Sequence, residues 1–112
     1  MAKTKKKIRV IYKRVGFDPV QVEVENELEP LQIMIGGDIE TVPWYFYNSM
    51  IMLVDEEGKL NHRPVNFVWK GEAIVGSVMW LGSDIEKGEF IDCPYNLEEF
   101  HRRWPWLWED KT

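Results

Sequence analysis

Residues 27–44 read ELEPLQIMIGGDIETVPW, and the fold turns on what the paired glycines at positions 36 and 37 do. If they open a helix, their amide groups and the helix N-terminus form a phosphate cradle, and the chain belongs with α/β nucleotide binders. If they close one, they are a left-handed stop that glycine adopts at no steric cost. Leu28, Leu31, Met34 and Ile35 stand at offsets 0, 3, 6 and 7, an apolar stripe that precedes the glycines, with Gln32 looking outward. Asn26, followed three residues later by Glu29, matches a capping box for a helix starting at Glu27, with Pro30 in the tolerant first turn. The glycines therefore end the helix. Asp38 and Glu40 beside them would also repel a phosphate.

On the N-terminal side, Lys7 to Lys13 alternates, with Ile8, Val10 and Tyr12 on one face and Arg9 and Ile11 on the other. That is the period of a half-buried strand. Gly16 and Asp18-Pro19 punctuate a turn, and Val20, Val22 and Val24 then alternate with Gln21, Glu23 and Glu25. A hairpin results, in which the bases of the first strand can face the acids of the second. On the C-terminal side, Asp38 to Val42 predicts a short strand that Pro43 stops or confines to an edge. The run WYFYNSMIMLV predicts a strand that turns at DEEG and resumes at Lys59-Leu60. Pro64 breaks NHRPVNFVW into an irregular loop. The segment AIVGSVMWLG is apolar on both alternating faces, so it predicts the central strand, with Gly76 as a bulge or a point of close approach. Glu89 to Cys93 adds an edge strand. Asn96 and Glu99 then form a second capping box, and Leu97, Phe100 and Trp104 share one face of a helix that Pro105 ends.

The totals bound this picture. The chain has 112 residues, enough for one domain with a real core and too few for two. Six Trp, five Phe and four Tyr predict an interior rich in rings. Seven of the fourteen Lys and Arg lie between Met1 and Arg14 with no acid among them, so the rest of the chain sets seven bases against nineteen acids, a balance of −12. A basic arm over residues 1–6, expected to be flexible, thus precedes an acidic body that repels a phosphate backbone. Cys93 is the sole cysteine, so no internal disulfide forms, in keeping with a reducing compartment. No apolar run approaches the roughly 20 residues that span a bilayer, and the basic start is followed by no apolar signal region. The expectation is a cytoplasmic protein with no membrane partner.

Four segments in this order, LQIMIGGDIE, VDEEGKL, RPVN and GEAIVGSV, resemble domain-of-unknown-function family 3846, a family of small bacterial, phage and plasmid proteins. The resemblance covers about the middle half of the chain and implies a small mixed α/β domain, often encoded on mobile elements beside accessory genes, with no activity attached. The Lys-rich start and the Trp-rich end, residues 105–112, depart from the family pattern. A role in either tail is not implied by it.

Candidate chemistry is sparse. Asn61, His62, Arg63 and Asn66 fall in one loop and could bind an anion or a base edge; the plain alternative is a loop whose Asn side chains satisfy backbone groups and whose Arg is solvated. Trp104, Trp106 and Trp108 either complete the core or anchor the chain in a groove on another protein. Lys3, Lys5, Lys6 and Lys7, with Arg102 and Arg103, are the candidate nucleic-acid contacts, although the late position of the two arginines in the second helix already suits its dipole. Two His and one Cys, far apart, offer no metal set, and no cofactor is expected. No catalytic pair is selected, so a non-catalytic role is preferred.

The sequence therefore predicts an α+β domain over residues 1–112, a mainly antiparallel sheet of five or six strands with two short helices packed on one face. Its preferred function is an accessory protein of a phage or mobile element, acting in counter-defence or regulation, which binds a host macromolecule, a protein above all, through an acidic, aromatic surface. The alternatives are direct nucleic-acid binding through the basic arm, and a small-ligand or enzymatic domain built on the Asn61 to Asn66 loop. Oligomeric state is not legible.

Overall fold

The computed structural model of the chain describes residues 6–109. Strands β1 (Lys7–Lys13) and β2 (Val20–Glu25) form the predicted antiparallel hairpin, with Lys7 opposite Glu25 and Arg9 opposite Glu23. Helix α1 (Leu28–Ile35) follows and stops at Gly36, whose φ of 95° is the left-handed cap expected of it. The N–H groups of Gly36 and Gly37 both donate to the Gln32 carbonyl. The start of α1 differs from expectation: Glu27 is the N-cap, without a side-chain bond, and Asn26 donates its amide to the Phe90 carbonyl instead. A distant partner has displaced the local one.

Strand β3 (Ile39–Tyr45) pairs with β4 (Met50–Asp55) through a short 3-10 turn at Phe46–Asn48. The hairpin thus turns at those residues rather than at the predicted DEEG, because Ser49 supplies the left-handed step, at φ 55°, that reverses the chain. Residues 65–69, predicted as loop, are strand β5 (Val65–Trp69), paired with β6 (Glu72–Val75) across a two-residue turn in which Lys70 and Gly71 both have positive φ. The predicted single strand through Gly76 is divided there: Gly76, at φ 74°, separates β6 from β7 (Val78–Asp84). Strand β8 (Glu89–Ile91) and helix α2 (Leu97–Arg103) complete the regular elements, and Pro105–Leu107 is a final 3-10 turn.

All strand pairs are antiparallel, and the class is α+β as the sequence predicts. A six-stranded sheet runs β2-β1-β7-β4-β3, with β8 taking up the β7 edge that β1 leaves; β5 and β6 form a separate two-stranded sheet. Strand β7 is central, and Val78 to Leu81 are wholly buried because both of its faces are covered. Alternate residues then go to different interiors. Ile8, Val10, Leu53, Met79 and Leu81 meet Leu31 and Ile35 of α1, whereas Ile11, Met52, Val78 and Trp80 meet Phe100 of α2 and Leu107. The two helices, expected together on one face, therefore lie on opposite faces. A helix as short as α1 is marginal on its own, and burial of Leu31 and Ile35, about 1.5–3 kcal/mol each, holds it in place.

Helix α2 starts as predicted. The Asn96 side chain accepts from the Glu99 N–H at 2.8 Å, and the Glu99 carboxylate accepts from the Asn96 N–H at 2.9 Å. His101, Arg102 and Arg103 occupy its last turn, where the dipole favours positive charge.

Candidate functional site

The candidate loop is structural in its two best-placed members. Asn66 is buried and its amide donates to the Lys13 and Gly76 carbonyls, at 3.1 and 2.8 Å, while its Oδ1 accepts from the Lys13 ammonium at 2.6 Å. Arg63 donates through Nε to Asp55 at 3.2 Å and through Nη2 to the Gly36 carbonyl at 2.5 Å, so it ties the end of α1 to β4. Asn61 and His62 are exposed, His62 at φ 55°. The four side chains do not converge.

Lys13 was hidden among the bases of the first strand. Its side chain is wholly buried on the α2 side of the sheet, bonded to Asn66 and to Glu109 Oε2 at 2.8 Å. The Glu109 N–H in turn donates to Asp18 at 2.5 Å. These bonds fasten the end of the Trp-rich tail to the β1–β2 hairpin. The tail folds inward: Trp104 lies 5.0 Å from Phe100 and 5.7 Å from Trp44, Trp106 lies 5.8 Å from Phe67, and Trp108 stands 4.1 Å from His101 and 6.1 Å from Phe100. Trp106 still keeps 45% of its surface exposed.

Of the candidate nucleic-acid residues, Lys6, Lys7, Arg102 and Arg103 are described. Lys3 and Lys5 lie outside the described residues. Lys6 and Lys7 are exposed, with Lys7 opposite Glu25. Arg102 faces Glu98 at 3.7 Å, and the Arg103 guanidinium stands over the rings of Tyr95 and Tyr45 at 4.6 and 5.5 Å. These arginines already have partners within the chain.

Cys93 is buried in the aromatic interior, and burial pushes its thiol up to about 11, against smaller opposing effects of the Tyr95 backbone N–H and Arg9. At neutral pH it is a protonated, inert thiol. Among the described residues no three His, Cys, Asp or Glu come together as a metal site, and no helix is long and apolar enough to cross a membrane.

The concave feature of interest lies beside the predicted loop rather than in it. The β5–β6 hairpin packs onto the sheet through Phe67 and Trp69, and Trp69 stacks on Trp44 at 4.5 Å and 25°. Between this hairpin and the β3–β4 hairpin an open groove of about 510 Å³ remains. Val42, Val54, Trp69 and Ile74 give it an apolar lining. Glu40, Glu56, Glu57 and Glu72 stand exposed around it. Asp55 is buried and answered by Arg63, so the net charge of the rim comes from those four glutamates against Lys59 and Lys70. Lys59 meets Glu72 at 3.6 Å with both side chains 65% exposed, a contact worth about 0–1 kcal/mol at most. The Lys70 ammonium lies 4.8 Å from the Trp69 ring centre.

Carboxylates accept hydrogen bonds and cannot donate them, so the glutamates of this rim suit N–H donors and cations. The apolar lining suits the aliphatic stem that a Lys or Arg side chain carries below its charge. These residues come from three separated stretches of chain, which is why none was singled out from the sequence.

No curated protein and no solved structure matches the chain. A family profile does, over residues 8–105, which takes in both helices and, but for Lys7, every strand of the described residues, and the chain belongs to that family, Domain of unknown function (DUF3846).

Proposed function

We propose that the chain is a non-catalytic accessory protein of a phage or mobile element, working in the cytoplasm in counter-defence or regulation. It binds a host protein, and the acid-rimmed groove walled by Trp69 is its contact surface. The observation that carries this reading is the pairing of an apolar lining with four exposed glutamates, which suits a basic segment and repels nucleic acid. The mobile-element setting rests on the family resemblance alone.

The test is capture of partners by the tagged protein in its native host, beside a Glu56→Lys, Glu57→Lys variant and a variant lacking residues 1–6. A partner retained by the native chain, lost on charge reversal and released as salt rises supports the groove. A partner that survives charge reversal but is lost with the arm, or that proves to be DNA or RNA, overturns it in favour of the basic arm.

A further inference from the structure

The groove runs along an unpaired strand edge. Strand β3 ends the six-stranded sheet, and among the described residues nothing pairs with its outer side. The backbone alternation there can be read from one bond and the register. The Glu56 N–H donates to the Asp38 carbonyl at 2.8 Å, and Glu40 and Val42 face Val54 and Met52, so these positions direct their backbone groups inward to β4. Ile39, Thr41 and Pro43 direct theirs outward. Pro43 therefore lacks its N–H on the free side, where no ladder bond is lost. Ile39 and Thr41 are left as outward donors, with the carbonyls of all three as acceptors.

Side chains alternate in the opposite sense to this availability. Glu40 and Val42, whose backbones are spent on β4, line the groove. A strand laid against β3 would place every second side chain on that same face, over the apolar lining and among the glutamates. The other edge of the sheet is different. By the same argument, from the Asn26 N–H bonded to the Lys6 carbonyl, the outward positions of β2 are Gln21, Glu23 and Glu25, and the Gln21 side chain is held by the Leu97 N–H. That edge carries charge at its outward positions, as guarded edges do.

We infer that the partner of this protein binds as an extended segment that adds a strand to the free edge of β3, directing alternate Lys or Arg side chains into the Glu-rimmed groove. This rests on the groove reading given above and makes it specific: the occupant is a basic, alternating, extended peptide. Backbone bonds to Ile39 and Thr41 supply affinity, and the side chains in the groove supply selectivity. Pro43 limits the pairing to a few residues, so the contact is short and its charges matter.

The probe is a six-residue peptide alternating lysine and valine, measured at low salt against the full chain. Three controls accompany it: the same peptide N-methylated at alternate backbone amides, made once in each of the two registers; the same peptide with glutamate for lysine; and the Thr41→Pro protein, which removes one outward N–H and no bond to β4. The lysine peptide is expected to bind and to slow amide exchange at Ile39 and Thr41. Methylation in the register whose amides face β3, glutamate replacement and Thr41→Pro should each weaken it at least tenfold, the last in protein that remains folded, whereas methylation in the other register should leave affinity unchanged. Undiminished affinity for both methylated peptides, with no protection of those amides, would overturn strand addition and leave the groove reading standing. Failure of the lysine peptide to bind, or equal binding of the glutamate peptide, would overturn both.

Discussion

Met79 and Trp80 are neighbours on β7, both wholly buried, yet they belong to different interiors. On the Met79 side, branched and unbranched aliphatic chains from β1, β4 and β7 meet the two buried residues of one helix, α1. On the Trp80 side the interior is built of rings: Phe67 stacks on Trp80 at 5.9 Å, and Trp44 meets its edge at 5.4 Å and 71°. Three separate pieces cover that side, namely α2, the turn at Pro105–Leu107 and the β5–β6 hairpin. The aliphatic side chains lie under a single cover, whereas the rings on the Trp80 side are shared among three. The groove lies where one of these covers, the β5–β6 hairpin, stands over the β3–β4 edge of the sheet. The concavity thus comes from a hairpin laid on a sheet edge, without any special loop.

The comparison can be broken at its centre. Trp80→Ala removes a ring that four elements share and should cost about 3–5 kcal/mol, read from denaturant midpoints; Met79→Ala should cost less, about 2–3 kcal/mol, because the aliphatic side can collapse more easily around the loss. Equal costs would mean that the two interiors are mechanically alike. Cys93 offers a second reading of the same contrast, since it lies on the aromatic side. Its burial keeps alkylation at pH 8 slow, and Trp80→Ala should speed that reaction more than Met79→Ala at matched stability. The thiol also sets a pH dependence. Its folded value of about 11 stands above the ordinary 9.0, so its contribution is fully present below about pH 9 and is lost as pH rises through about 11. Cys93→Ala should remove that alkaline slope from the stability profile.

A smaller effect is expected at the join between the tail and the first hairpin. Lys13→Met keeps the aliphatic stem and leaves Asn66 Oδ1 buried without its donor, which costs about 1–3 kcal/mol. Glu109, 47% exposed, returns to water without comparable loss. The tail should loosen first, visible as a red shift of tryptophan emission before global unfolding. If emission and global unfolding shift together, the tail is not a separate unit.

What the sequence disclosed follows the range of the forces involved. The β1–β2 hairpin, the stop at Gly36, the cap at Asn96 and the doubly covered strand around Trp80 all rest on neighbours within a few residues, and each stands where it was expected. Strand β5 was obscured because Pro64 precedes it and a register shift between Val65 and Phe67 breaks the alternation that marks a strand. The placement of the helices on opposite faces depends on which β-face each meets, a long-range choice. The groove was out of reach for the same reason: Glu40, Glu56 and Glu72 are brought together only when β3, β4 and β6 are. The bonds of Asn66 were equally hidden, since its amide meets the carbonyls of Lys13 and Gly76 and its Oδ1 the Lys13 ammonium only once β1 and β5 lie together.

The finest test concerns the two helices that serve the two faces, because both begin with the same letters. Asn26 and Glu29 before α1 have the spacing of Asn96 and Glu99 before α2. In α2 both reciprocal bonds exist. In α1 neither helps the helix, because Asn26 is committed to Phe90 across the sheet and the chain reaches helical geometry one residue later. Asn96→Ala should therefore cost about 1 kcal/mol, and Glu99→Ala a few tenths, through loss of the cap. Glu29→Ala should change stability by no more than about 0.5 kcal/mol, the ordinary range of a surface substitution. Asn26→Ala would act on β8 instead, which amide exchange at Glu89 to Ile91 can separate from fraying of α1. If Glu29→Ala proved as costly in thermal unfolding as Asn96→Ala, the box before α1 would be forming in solution, and the distant bond to Phe90 would not be what decides where that helix begins.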